Sequence, residues 1–188
     1  QVRWIYSWYD PAKAKEAAEA LVADGCDAMA FTEDSASVVE VGQEHTKAGK
    51  PVFTFGHYSP MQQFGPDSCV SGQLVDWGVM YEKMFQDMVN KTWTPDDMWW
   101  LAKEGAAKLG GAPGVPVNPK FVEALKAKKV STKDLGSLSV YELVLKRYEQ
   151  MMKGREVFDP FTGPITDNQG KVQIPAGRIG TKDELLGP

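Results

Sequence analysis

A three-layer, doubly wound α/β domain built on a parallel sheet is the architecture this sequence predicts. Three observations carry it. Short runs rich in β-formers or flanked by glycine, at residues 3–7 (RWIYS), 27–31 (DAMAF) and 51–55 (PVFTF), begin 24 residues apart. Between them lie two segments with helical periodicity, the first placing Ala14, Ala17, Ala18, Leu21 and Val22 on one face and the second Val38, Val39, Val41 and Gly42. Helix punctuation agrees: Asp10 stands where it can cap, Pro11 at the first helical position, and Gly25 and Gly49 just past the two helix ends. Right-handed βαβ crossovers through such short connections make the sheet parallel, with helices on both faces.

Further along, a fourth strand is expected near residues 67–74, then a helix over 78–90 with Tyr81, Met84, Phe85 and Met88 as its buried stripe. Residues 92–97 form a polar turn, and 98–109 read equally as strand or helix. GGAPGVP at 110–116 is a loop, Asn118 and Pro119 open a helix to about Lys128, and 139–153 is amphipathic, with Tyr141, Val144, Leu145, Tyr148, Met151 and Met152 at helical spacing. The turn-rich end offers one hairpin, with arms 161–165 and 171–174 around Asp167, Asn168, Gln169 and Gly170. Residues 1–110 are expected to form the main α/β lobe, and 111–188 further helices and a hairpin tail that pack on the same lobe and hinge.

Composition narrows the function. The chain has 188 residues, 43% hydrophobic and 24% charged, the profile of a globular domain large enough for one core. Its net charge of −4, with no run of five like charges, gives nothing to track a phosphate backbone, so nucleic acid is not an expected partner. No apolar stretch approaches the roughly 18 residues a bilayer crossing needs, and no charged and apolar leader stands ahead of the first strand-like run. Cys26 and Cys69 lack CxxC spacing and read as buried thiols, with no metal site and no cofactor expected.

In an open parallel sheet, ligands sit beyond the carboxyl ends of the strands. The loops there hold Ser7, Trp8, Tyr9 and Asp10, then Thr32, Glu33, Asp34 and Ser35, then His57 and Tyr58, then Asp76 and Trp77. They are dense in aromatic and hydrogen-bonding groups and poor in Lys and Arg, which suits a flat, largely uncharged ligand stacked on Trp8, Tyr58 or Trp77. Enzyme signals are weak. SWYDPAK after the first strand is neither GxGxxG nor a Walker loop, GGAPG is broken by proline, and Phe55 and Gly56 stand where a receiver domain needs its aspartate. A Ser35, His57 and Asp34 set can be assembled, but no GxSxG elbow presents a serine. The adjacent Glu33 and Asp34 suit a helix N-terminus better than an acid and base pair, and His45 reads as a solvent-exposed helix residue.

The runs SWYDPAKAKEAAEALVADGCDAMA, TEDSASVV and PVFTFG followed by HYSPMQQFGPD, then DWGVMYEKMFQDMVNKTW, DDMWWLAKEGAAKL and FTGPITDNQGKVQIPAG, resemble the basic membrane protein family in the same order. The tail is the most specific part. That family comprises solute receptors of certain ABC importers, including purine nucleoside receptors. The resemblance implies a type I periplasmic-binding-protein lobe and a ligand clamped between two lobes. It also implies an importer permease as partner, and an extracytoplasmic, periplasmic or lipid-anchored location. It covers the carboxyl-terminal part of such receptors, so an amino-terminal lobe and lipoprotein signal are expected on a longer protein. The family's aromatic after the first strand falls at Trp8, its polar loop at 32–35, and its Trp after the fourth strand at Trp77. The acidic turn many members carry after the third strand, expected to bind a ribose hydroxyl, is replaced here by Gly56, His57, Tyr58, Ser59 and Pro60. The resemblance thus implies an extracytoplasmic receptor for a purine base or nucleoside-like heterocycle. The rival readings are a small α/β hydrolase or transferase using His57 with Asp34 or Glu33, and a sensory protein that kept a receptor fold.

Overall fold

The structure is a computed structural model that describes residues 1–186. The Asp10 carboxylate accepts the Lys13 N–H at 3.1 Å and Pro11 supplies the first helical residue, so helix α1 runs Pro11–Ala23 and ends before Gly25, whose φ is +90°. Strand β1 (Ala28–Ala30), helix α2 (Ser37–Lys47), strand β2 (Phe53–Tyr58) and strand β3 (Cys69–Val75) follow. Helix α3 (Trp77–Asn90) and strand β4 (Ala107–Leu109) complete the main sheet, whose order is β1-β2-β3-β4.

The main core lies between α1, α2 and one sheet face, where Val22, Met29, Val38, Val41 and Val52 are buried together. Each valine sealed from water there contributes on the order of 1.5–3 kcal/mol. Gly42 sets how closely α2 approaches: a Cβ at this position would lie 2.5 Å from Thr54 Cγ2 and 3.2 Å from the Val52 carbonyl oxygen. Gly42→Ala therefore loses about 1–3 kcal/mol through overpacking despite alanine's better helix propensity. Urea unfolding checks this, with a lowered midpoint as the expected result. His45 is half-buried rather than solvent-exposed, and its Nε2 lies 2.7 Å from Glu19, tying α2 to α1.

Three expectations are corrected. Residues 3–7 form no strand: they pair with no neighbour among the described residues, and Tyr6, with φ +52°, departs from strand backbone. They are tied down by an Arg3–Asp24 ion pair, and the Asp34 N–H donates to the Trp8 carbonyl at 2.9 Å just beyond their end. The sheet is parallel only through β1, β2 and β3. Strand β4 is antiparallel to β3, with Val75 opposite Ala107 and Gln73 opposite Leu109, because the loop after α3 returns the chain to the carboxyl end of β3 with no crossover. Helix α3 forms where its periodicity places it, yet it buries no residue, and Tyr81 and Phe85 are 63% and 68% exposed.

The remaining elements follow their caps. Helix α4 (Pro119–Ala127) is capped by Asn118, whose side-chain amide also donates to the Pro66 and Cys69 carbonyls at 3.0 and 2.9 Å and so fastens α4 to the start of β3. A hairpin absent from the sequence reading, β5 (Lys129–Thr132) with β6 (Gly136–Ser139), turns through Gly136 at φ +67°. Helix α5 (Val140–Lys153) opens on a reciprocal capping box between Ser139 and Glu142. The tail hairpin, β7 (Ile165–Thr166) with β8 (Val172–Ile174), is shorter than predicted. Its turn is held by Asp167, which accepts the Gln169 and Lys171 N–H groups at 2.9 and 3.0 Å. Helix α6 (Lys182–Leu186) ends the described chain, in which no helix is long and apolar enough to cross a membrane. Cys69 is buried as expected, whereas Cys26 is only half-buried.

Candidate ligand-binding site

Side chains alternate along a strand, so neighbours such as His57 and Tyr58 normally point to opposite faces. Here they stack, with ring centroids 3.8 Å apart and planes 23° from parallel. The cause is local. Tyr58 ends β2 with φ +59°, a conformation rare for a bulky residue, and the Ser59 N–H donates back to the His57 carbonyl at 2.7 Å. The turn carries Tyr58 over the strand end to meet Trp77 edge-on, at 6.2 Å and 88°, while Phe31 flanks His57 at 6.2 Å. A row of four rings, Phe31, His57, Tyr58 and Trp77, thus spans the carboxyl ends of β1, β2 and β3.

The charges around this row are mostly engaged. Asp76 caps α3 by accepting the Gly78 N–H at 3.0 Å and pairs with Lys108 at 2.6 Å, and the lysine ammonium holds its carboxyl below the usual range. His57 is 9% exposed, and burial lowers its pKa although the Asp34 charge pulls the other way. The neutral imidazole offers one donor and one acceptor without a charge. The folded imidazole binds protons more weakly than the unfolded one, so its contribution to stability is intact above a pH of about 6.5 and is lost as pH falls through the lowered folded value. His57→Gln is expected to flatten that part of the stability profile, measured by thermal unfolding between pH 7 and 5.

A second cluster lies at the ends of residues 3–7 and β1. Trp8, Tyr9, Thr32 and Asp34 are all exposed there, and among the described residues no ring contact joins Trp8 or Tyr9 to the aromatic row. What holds this cluster is Glu33, which the sequence reading assigned to a helix N-terminus. It is buried, and its carboxylate accepts the Asp10 N–H at 2.9 Å, the Ser35 N–H at 2.9 Å and the Ser35 hydroxyl at 2.6 Å. The alternating polar residues Glu33, Ser35 and Ser37 ahead of Val38 were the signal for it. Phe31 and Lys108 were also missed, each adjoining a predicted residue across the sheet. No group of three or more His, Cys, Asp or Glu side chains suited to a metal occurs among the described residues. The arrangement does not favour hydrolysis, since Glu33 is occupied by backbone donors and no hydrogen bond joins His57 to Asp34 among the described residues.

Comparison with known proteins agrees with a receptor. A purine-binding protein of Brucella abortus (strain 2308) is 26% identical over 187 residues, covering 100% of this chain and 45% of that protein. A putative ABC transporter glucose-binding protein of Haloferax volcanii, TsgA13, is 34% identical over 109 residues, covering 58% of this chain and 27% of that protein. The chain therefore spans less than half the length of either relative. Among solved structures, a transcriptional activator of the comK gene from Bacillus halodurans aligns with a TM-score of 0.56 at 16% identity, over 81% of this chain and 46% of that one. A solute-binding protein of an ABC transporter system from Aeropyrum pernix K1 aligns at 0.54 and 17%, over 78% and 44%. These two likenesses are of fold alone, and they agree with the α/β architecture described above. Matched by the family model over residues 1–139, the chain belongs to the Bmp family, the PnrA-like ABC transporter substrate-binding proteins, which bind their substrates and are not enzymes.

Proposed function

We propose that this chain is the carboxyl-terminal ligand-binding lobe of an extracytoplasmic ABC-importer receptor, and that it takes a purine base or nucleoside-like heterocycle between its own strand ends and a second lobe. The observation that carries the reading is the aromatic row. Phe31, His57, Tyr58 and Trp77 present ring surface beside a neutral imidazole, which suits a flat heterocycle needing stacking and one or two hydrogen bonds. The purine-binding relative points the same way. No acidic side chain stands at residues 56–60 to take a ribose hydroxyl, which favours the free base. Closure of two lobes on the ligand, recognised by a permease, is then the functional event.

The test is a titration of the longer gene product with adenine, guanine, adenosine, inosine, riboflavin and glucose, following tryptophan fluorescence. Saturable quenching by a purine base, weaker for its nucleoside, is the expected result. A response to glucose alone would keep the receptor reading and overturn the purine one.

A further inference from the structure

Strand β3 carries a polar side chain that nothing so far has put to use. Gln73 is half-buried two residues from the carboxyl end of β3, and its amide makes no hydrogen bond among the described residues. The His57 imidazole makes none either. The side-chain atoms sealed from solvent without a partner there are Thr54 Oγ1 and Gln62 Oε1, so the polar atoms of Gln73 and His57 keep a path to the surface.

Register brings these two idle groups together. In the parallel ladder of β2 and β3, Gln73 is the direct partner of His57. Partnered residues of adjacent strands stand about 4.8 Å apart and project from the same face, so the amide stands beside the imidazole. The pairing is held tightly one residue earlier, where a Cβ on Gly72 would lie 2.7 Å from the Gly56 carbonyl oxygen. On its other side Gln73 faces Leu109 of β4, whose side chain has nothing to hydrogen-bond.

A primary amide holds a carbonyl acceptor next to an N–H donor. That pair complements an edge on which an exocyclic amine adjoins a ring nitrogen, the pairing through which glutamine reads adenine N6 and N7. The corresponding edge of a 6-oxopurine presents two acceptors and leaves the amide oxygen facing one of them. The neutral imidazole discriminates less, because its donor and acceptor exchange with the tautomer.

We propose that Gln73 sets which heterocycle the site takes, its amide bonding the exocyclic amine and adjoining ring nitrogen of a 6-aminopurine while the aromatic row stacks on the ring. The inference rests on the purine reading above and narrows it to one substitution pattern. Stacking supplies affinity for any purine, and Gln73 supplies the choice among them.

The test is calorimetric titration of the complete receptor with adenine, with hypoxanthine and with unsubstituted purine, which lacks the exocyclic amine. The wild-type protein is expected to bind adenine at least tenfold more tightly than either of the others. Gln73→Leu keeps a similar volume without the amide. It is expected to weaken adenine tenfold or more and purine less than threefold, so that retained purine binding also reports an intact fold. Gln73→Glu keeps an acceptor for the amine and loses the donor, and an intermediate preference is expected. Equal wild-type affinity for adenine and purine, or tighter binding of hypoxanthine, would overturn the assignment and leave the purine reading standing. A Gln73→Leu variant that weakens adenine and purine alike would reduce Gln73 to a structural role. Binding of none of the three would overturn the purine reading and this inference together.

Discussion

Trp77→Ala is expected to weaken binding of a purine base by about ten- to a hundredfold in the complete receptor. Stacking of a base on an aromatic side chain contributes roughly 1–3 kcal/mol by alanine substitution, and Trp77 is placed to supply it. It sits at the start of α3, held by the Asp76 cap, with half its surface free and its ring edge against Tyr58. The substitution removes the terminal ring of the row and touches no core residue, so the melting temperature should move little while affinity falls. Calorimetric titration with adenine is the measurement. Trp8→Ala provides the contrast, since Trp8 lies outside the row and is 76% exposed. A loss of tenfold or more at Trp8 with none at Trp77 would move the ligand to the loops after residues 3–7 and β1 and remove the row from the site.

The parts of this molecule that were legible in the sequence are those whose signals are local. Asp10 with Pro11, Asn118 with Pro119, Ser139 with Glu142, and the glycines after α1 and α2 each mark a boundary within four residues, and each boundary lies where they place it. The inward face of α2 was legible less cleanly, from Val38, Val39, Val41 and Gly42, and all four are buried. What failed depended on partners far away or outside the chain. RWIYS has strand composition, but a strand is defined by its neighbours and this segment has none among the described residues. The stripe on α3 has the right period, yet none of its residues is buried among the described residues. At the candidate site, Tyr58 and Trp77 could be placed from strand order alone, whereas Phe31 was missed and the stacking of His57 on Tyr58 arises from one left-handed backbone residue that no composition announces.

The same contrast decides the largest stability effect expected here, that of Glu33→Ala. Glutamate ahead of a helix is ordinarily worth a fraction of a kcal/mol through the helix dipole, and a surface residue of that kind would be silent on substitution. Glu33 is instead buried and is the acceptor for two backbone N–H groups and one hydroxyl. One donor belongs to Asp10 at the start of α1 and the others to Ser35 ahead of α2, so a single carboxylate joins the loops that follow residues 3–7 and β1. Removing it leaves donors without partners at about 1–3 kcal/mol each, and water reaching Asp10 recovers part of that. Glu33→Ala is expected to cost about 2–4 kcal/mol, a fall in melting temperature on the order of 4–16 °C for a chain of this size. Glu33→Gln keeps one acceptor oxygen, places an amide donor against the other N–H, and should cost about half as much. Thermal unfolding of the two variants separates the readings: a helix-dipole role predicts small and equal losses, and the buried clamp predicts large losses that scale with the acceptors removed.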